Sequence, residues 1–210
     1  MIIAVDGPTA SGKGTIARAL AAHFQIPHLD TGLLYRAVGL HTARGGGDAD
    51  NEVHAFAACN FPDSLLSDPE LRLESTGSLA SRVSVHPKVR AALLDRQRAF
   101  AALPGGAVLD GRDIGTVIAP DADAKLFVVA SPEARALRRQ AELAGRGVAV
   151  DLDAVMRDIY QRDERDAGRT AAPLVQADDA DLLDTSDMTI GEAVQRAIAL
   201  VEARLSRRSQ

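Results

Sequence analysis

The chain has 210 residues, 46% hydrophobic and 25% charged, with 24 basic against 29 acidic side chains and a net charge of -5. Those figures fit one globular core with appendages and exclude a disordered chain, a collagen-like repeat and a coiled coil. The acidic balance and 3% aromatic content without tryptophan argue against a nucleic-acid partner, and no apolar run approaches the ~20 residues of a membrane span.

The predicted elements alternate. Residues 2–5 are an apolar run ended by Asp6-Gly7-Pro8, the pattern of a buried strand. A helix is expected over 13–24, a short strand over 26–30, and a second helix from Thr31 or Gly32 to about Ala43. Gly45-Gly46-Gly47-Asp48 reads as a flexible stretch, and 51–80 as an insertion without firm pattern. A helix over 88–102 closes at Pro104-Gly105-Gly106, and strands follow at 107–110 and 125–130. Ser131-Pro132-Glu133 opens a helix that stops at Gly145-Arg146-Gly147, with proline at the first helical position. A highly charged helix over 152–166, a strand over 181–184 and a last helix to about Leu205, opened by a capping box at Thr189 and Glu192, complete the chain. Strands alternating with helices predict an α/β fold with a parallel sheet flanked by helices.

The sharpest motif is Gly7-Pro8-Thr9-Ala10-Ser11-Gly12-Lys13-Gly14-Thr15, between the first strand and the first helix. This G-x-x-x-x-G-K spacing is a P-loop: glycines let backbone N–H groups turn inward on phosphate, the helix dipole favours negative charge, and the lysine reaches the β- and γ-phosphates. Gly14 stands where Ser or Thr usually binds magnesium, and Thr15 comes one place later. Magnesium is therefore expected to be held mainly by substrate phosphates and water, with Thr15 and Asp110 as the candidate protein ligands.

Three further clusters carry chemistry. Asp30-Thr31-Gly32 is followed by Tyr35-Arg36. Its tripeptide occurs once and opens a helix, whereas an aspartic protease needs two facing carboxylates, so an N-cap or ligand contact fits better. Asp110-Gly111-Arg112-Asp113 ends a predicted strand, where parallel sheets bind ligands, and Asp110 there could orient magnesium-bound water. Arg157, Arg162, Arg165 and Arg169 alternate with acids, the spacing of the last three placing them on one helical face. Gly145, Gly147 and Gly168 bracket that segment like hinges, as in a lid that closes over phosphates. Of the 24 basic residues only Lys13, Lys88 and Lys125 are lysine. A G+C-rich genome would give that bias, and so would a need for bidentate phosphate clamps.

Together these motifs, with Ser81-Arg82-Val83, Val89-Arg90, the run from Asp110 through Val117, Arg162-Asp163-Glu164-Arg165-Asp166 and Ala172-Pro173-Leu174, resemble bacterial cytidylate kinase in the nucleoside monophosphate kinase group. The resemblance implies a P-loop core (1–30, 105–144 and 171–210), a monophosphate-binding arm (31–104, with an insertion at 44–80) and a lid (145–170). It implies that Thr31, Tyr35 and Arg36 line the monophosphate site, and that Ser81, Arg90 and Asp113 contact cytosine. Arg112 and Arg169 would grip the α-phosphate, and Arg162 and Asp166 the ribose. The P-loop residues 7–15 and Arg157 would bind ATP, with Lys13 and the arginines at 112, 162 and 169 stabilising the transferred phosphoryl group.

The expected activity is ATP- and magnesium-dependent phosphorylation of CMP and dCMP. A P-loop kinase for another monophosphate or a hydroxylated metabolite is the alternative. A nucleotide switch fits less well, because no Asn-Lys-x-Asp motif occurs. A single cysteine, Cys59, and an N-terminus without a secretory signal predict a cytoplasmic protein. With no evident interface stripe, a monomer is expected.

Overall fold

The computed structural model describes residues 1–208. Five strands, β1 (Ile2–Asp6), β2 (His28–Asp30), β3 (Ala107–Gly111), β4 (Ala124–Val129) and β5 (Asp181–Asp184), form one parallel sheet in the order β2-β3-β1-β4-β5. Val5 pairs with Asp110 of β3 on one side and with Leu126 of β4 on the other. The chain leaves β1 toward one edge and crosses it again between β3 and β4, so the C-terminal ends of β1 and β3 flank the switch in strand order, where such sheets bind ligands.

Helices α1 (Lys13–Phe24) and α8 (Ile190–Arg208) cover the sheet. Ile3, Val5, Leu126, Val128 and Leu183 pack against Ile16 and Leu20 of α1 and Ala193, Ala197 and Val201 of α8. A β1 buried from Ile3 to Asp6 is what a central parallel strand requires. Each large aliphatic side chain buried there contributes about 1.5–3 kcal/mol. Helices α6 (Pro132–Gly145) and α7 (Leu152–Ala167) pack together through Ala136, Val155 and Ile159. Among the described residues no helix is long and apolar enough to cross a membrane.

The chain divides into two compact units, Met1–Leu29 with Ala101–Gln210, and Asp30–Phe100. The second contains α2 (Thr31–Arg44), α3 (Glu52–Ala57), α4 (Glu74–Val83) and all but the last residue of α5 (Pro87–Ala101). A Cβ on Gly39 of α2 would lie 2.8 Å from the Leu79 Cβ of α4, so glycine is what lets these two helices approach.

The stretch 51–80, expected to lack pattern, is ordered into α3, two 3₁₀ turns (Asp63–Ser67 and Pro69–Arg72) and most of α4. Its elements are too short for a hydrophobic period to show. Their start signals are nonetheless present: the Asn51 side chain accepts from the Val53 and His54 amides, and Asp68 from Glu70. The glycine-rich turn at 45–47 is tied down nearby, since Arg82 grips both Asp48 and Asp50 at 2.7 Å. Strand β2 is shorter than expected because Pro27 has no N–H for a ladder. A π-helical turn at Ile114–Ile118 was not foreseen. Nor does one helical face carry Arg162, Arg165 and Arg169: α7 ends at Ala167, Gly168 closes it by donating to the Glu164 carbonyl, and Arg169 lies beyond.

Candidate active site

The loop between β1 and α1 is a phosphate cradle by construction. Gly7 has φ +154°, and a Cβ there would sit 2.0 Å from the Val128 carbonyl oxygen of β4. Only glycine permits that approach. The backbone turns through left-handed conformations at Ala10 and Gly12, and α1 begins at Lys13, so its first N–H groups have no intrahelical partner. Lys13 rests near the Pro8 carbonyl at 3.4 Å.

A cavity of about 640 Å³ opens from this cradle. Its lining runs from Ala10 through Ile16, then takes in Arg138 and Arg139 of α6 together with Thr185, Met188 and Ile190 after β5. Arg138 donates to the Thr185 hydroxyl at 2.9 Å and also to its carbonyl oxygen. Sequence reasoning missed this wall; the C-terminal end of β5 marked it, since ligands collect beyond strand ends. Arg157 is exposed on α7 and is not among the residues lining this cavity.

Arg135 was also missed. Its side chain is 4% exposed and donates to the Thr9 and Ala130 carbonyls and, bidentately, to Asp163 at 3.0 and 2.6 Å. One guanidinium thereby joins the P-loop, the end of β4 and α7.

Two carboxylates sit beneath the cradle. Asp6 is buried and accepts from the Ile114 and Gly115 amides, each at 2.8 Å. Burial pushes its carboxyl up to about 6, against the lowering effect of those two amides; Asp113 raises it further and Lys13 opposes. Asp110 is paired with His28 at 2.7 Å, and its other oxygen points toward Gly14. Thr15 is exposed and accepts from Arg18 at 3.3 Å. Among the described residues no group of three or more His, Cys, Asp or Glu could hold a metal ion. The Asp110 carboxylate and the Thr15 hydroxyl beside the P-loop are oxygen donors of the kind that magnesium takes.

The predicted phosphate-gripping arginines are together. Arg112 donates to Asp166 at 2.6 Å and Arg169 pairs with the other oxygen of that carboxylate. Burial alone would raise Asp166, but Arg112 and Arg169 flank it, Lys13 adds to their field, and its carboxyl is held below the usual range. Arg162 is buried on α7 with Asp158 at 2.8 Å.

The unit Asp30–Phe100 carries its own cluster. Arg90 lies 5.6 Å over the Tyr35 ring and donates to the Ser84 carbonyl at 3.3 Å. The Ser81 hydroxyl is buried without a hydrogen-bond partner. Thr31 is buried at the start of α2. Arg36, by contrast, spans to the Leu71 and Leu73 carbonyls at 2.8 and 3.0 Å and braces the 3₁₀ turn.

Comparison with known proteins decides the family. The family model described as cytidylate kinase matches residues 3–203. The chain belongs to the cytidylate kinase family. It is 60% identical to a cytidylate kinase of Xanthobacter autotrophicus (strain ATCC BAA-1158 / Py2) over 97% of this chain and 98% of that one. It is 57% identical to a cytidylate kinase of Caulobacter sp. (strain K31), covering 98% and 96% respectively. Among solved structures, an uncharacterized protein from Eubacterium ventriosum superimposes with TM-score 0.58 at 15% identity, over 97% of this chain and 99% of that one, and shares the fold. In this cytidylate kinase family member the P-loop, the Arg112–Asp166–Arg169 cluster and the Ser81–Arg90 cluster are the parts to be assigned roles.

Proposed function

We propose that this enzyme phosphorylates CMP and dCMP at the expense of ATP. The observation that supports the reading is the pairing of a P-loop cavity with a separate, partly buried arginine cluster in the same unit, one for each of two anionic nucleotides. The cradle of residues 7–15 takes the donor triphosphate, and Arg138 and Thr185 wall the space beside it for the donor base. Arg157 joins the donor only as the segment 145–170 closes. Arg112 and Arg169 grip the acceptor α-phosphate and Asp166 keeps their forks aligned, while Arg162 and Asp166 meet the ribose. Thr31, Tyr35 and Arg36 line the monophosphate side, and Ser81, Arg90 and Asp113 read cytosine.

The chemistry needs no protein base. Phosphoryl transfer is governed by positioning and by charge stabilisation in a site cleared of water. Lys13, Arg112, Arg162 and Arg169 supply the positive field where charge develops on the transferred group. Arg135 holds α7 against the P-loop, so the arginines of 145–170 arrive in register with the cradle. Magnesium would be held mainly by the donor phosphates and water, with Asp110 and Thr15 as the nearby protein oxygens, and would supply further positive charge. The enzyme is proposed to act as a cytoplasmic monomer.

A coupled assay with ATP across CMP, dCMP, UMP, AMP and GMP tests the reading. CMP and dCMP are expected to exceed UMP in kcat/KM by ~10²–10⁴, because uracil reverses the hydrogen-bonding sense of two atoms that a cytosine site pairs. Equal use of UMP, or preference for a purine, overturns it.

A further inference from the structure

Asp6 has no part in the activity as described, yet it is a buried acid at the switch in strand order. It is the last residue of β1, one peptide before the glycine that begins the P-loop. Its side chain reaches the chain after β3 and accepts from two successive amides, Ile114 to one oxygen and Gly115 to the other. Those amides open the π-helical turn Ile114–Ile118, whose later N–H groups at Val117 and Ile118 return to the Asp113 carbonyl. The first amides of such a turn have no internal partner, and nothing on Asp113 itself caps them. Asp6 is that cap, supplied from another strand.

The geometry constrains Asp113. Holding the Ile114 and Gly115 N–H groups sets the peptide plane that follows Asp113 and its ψ of 27°. The direction in which its side chain leaves the backbone follows from that. Arg112 precedes it by one residue. There is little slack: a Cβ on Gly115 would already lie 3.4 Å from an Asp6 oxygen and 3.1 Å from the Lys125 side chain. Keeping a carboxylate in so closed a place is costly unless both oxygens are satisfied, and here both are.

We propose that Asp6 is a positioning residue for the acceptor nucleotide: through the Ile114 and Gly115 amides it sets the direction of Asp113 and thus cytosine selectivity. The inference rests on the proposed base-reading role of Asp113. An asparagine at position 6 can accept from one of the two amides but turns an N–H against the other. The turn then relaxes while the P-loop, built on Gly7 and Gly12, keeps its form.

The test compares wild type, Asp6→Asn, Asp113→Asn and the double variant by steady-state kinetics with CMP, UMP and ATP, each checked for a cooperative thermal transition. Asp6→Asn is expected to raise KM for CMP by ~10-fold and to lower the CMP-over-UMP ratio of kcat/KM by ~10-fold, leaving KM for ATP within ~3-fold. In the double variant the loss of selectivity should be less than the product of the single losses, because both act through one side chain. A purely structural role would lower kcat alike for both nucleotides with KM and selectivity intact, and that result overturns the proposal. If Asp6→Asn fails to fold, Asp6→Glu is read the same way: it keeps the charge but displaces the turn by a methylene, and wild-type selectivity there overturns the proposal. Absence of a CMP preference in the wild type strikes instead at the proposed function, and is visible before any variant is made.

Discussion

The two clusters of proposed substrate-binding residues are built differently. In the unit Met1–Leu29 with Ala101–Gln210 the charged groups are engaged in advance, while the Ser11 hydroxyl is buried without a partner. Asp6 caps a turn, Asp166 aligns two arginines, and Arg135 binds three separate segments. In Asp30–Phe100 the Ser81 hydroxyl is buried with no partner, and Arg90 lies over an aromatic ring. A prearranged charge field suits the transfer of a phosphoryl group, which gains from donors that need no reorganisation at the moment of reaction. A group left unsatisfied suits recognition, because its hydrogen bond is made only when the correct ligand arrives. Substitutions in the first cluster should therefore disturb rate, acceptor-phosphate binding or stability, and those in the second acceptor affinity with stability left intact.

The largest effect that sharpens this contrast is at the cradle. Lys13→Ala is expected to lower kcat by ~10²–10³ while CMP binding stays near normal, the usual loss on removing one donor to developing charge. Rapid-quench turnover and CMP titration on the purified variant measure the two halves. Near-normal turnover would break the assignment.

Asp6 gives the next. Its carboxyl is raised to about 6 in the fold from an ordinary 3.8. The folded state thus holds a proton that the unfolded chain has released between those values, and stability attributable to Asp6 rises as pH falls from 7 to 4. Measured by urea unfolding against Asp6→Asn, the wild type should gain up to about 3 kcal/mol over that range. The comparison with the variant is needed because Asp166, Asp179 and Asp184, held low by their partners, run the other way. A stability difference that does not change with pH would show Asp6 to be ionised like a surface acid.

Ser81→Ala should be the smallest and the most selective. Having no partner to lose, the variant should melt within about 1 °C of wild type, yet kcat/KM for CMP should fall ~10-fold, the value of roughly one hydrogen bond. A lowered melting temperature with unchanged CMP kinetics would reverse the contrast between the two clusters.

How legible these features were in the sequence follows the same division. The P-loop declared itself because its backbone task needs glycines and a lysine at consecutive, invariantly spaced positions. Strands β1 and β3 to β5, and the helices packed on them, were legible from their apolar runs and caps. The wall at Arg138 and Thr185 was not, since residues 47 positions apart meet only when β5 lies beside β4. Asp6 read merely as the end of a strand, because its partners are backbone amides 108 and 109 positions away. Arg169 was placed on a helix by spacing alone, and Gly168 ends that helix one residue earlier. The cluster at Ser81 and Arg90 carries no local motif, so only the family resemblance pointed to it.

The central claim is that donor and acceptor phosphates are held by different groups, the P-loop for one and Arg112 with Arg169 for the other. Titration calorimetry of Arg169→Ala with each nucleotide tests it most directly. The account predicts CMP affinity weaker by ~2–5 kcal/mol, the cost of breaking a desolvated charge pair, with ATP affinity nearly unchanged; equal losses for the two nucleotides would contradict it.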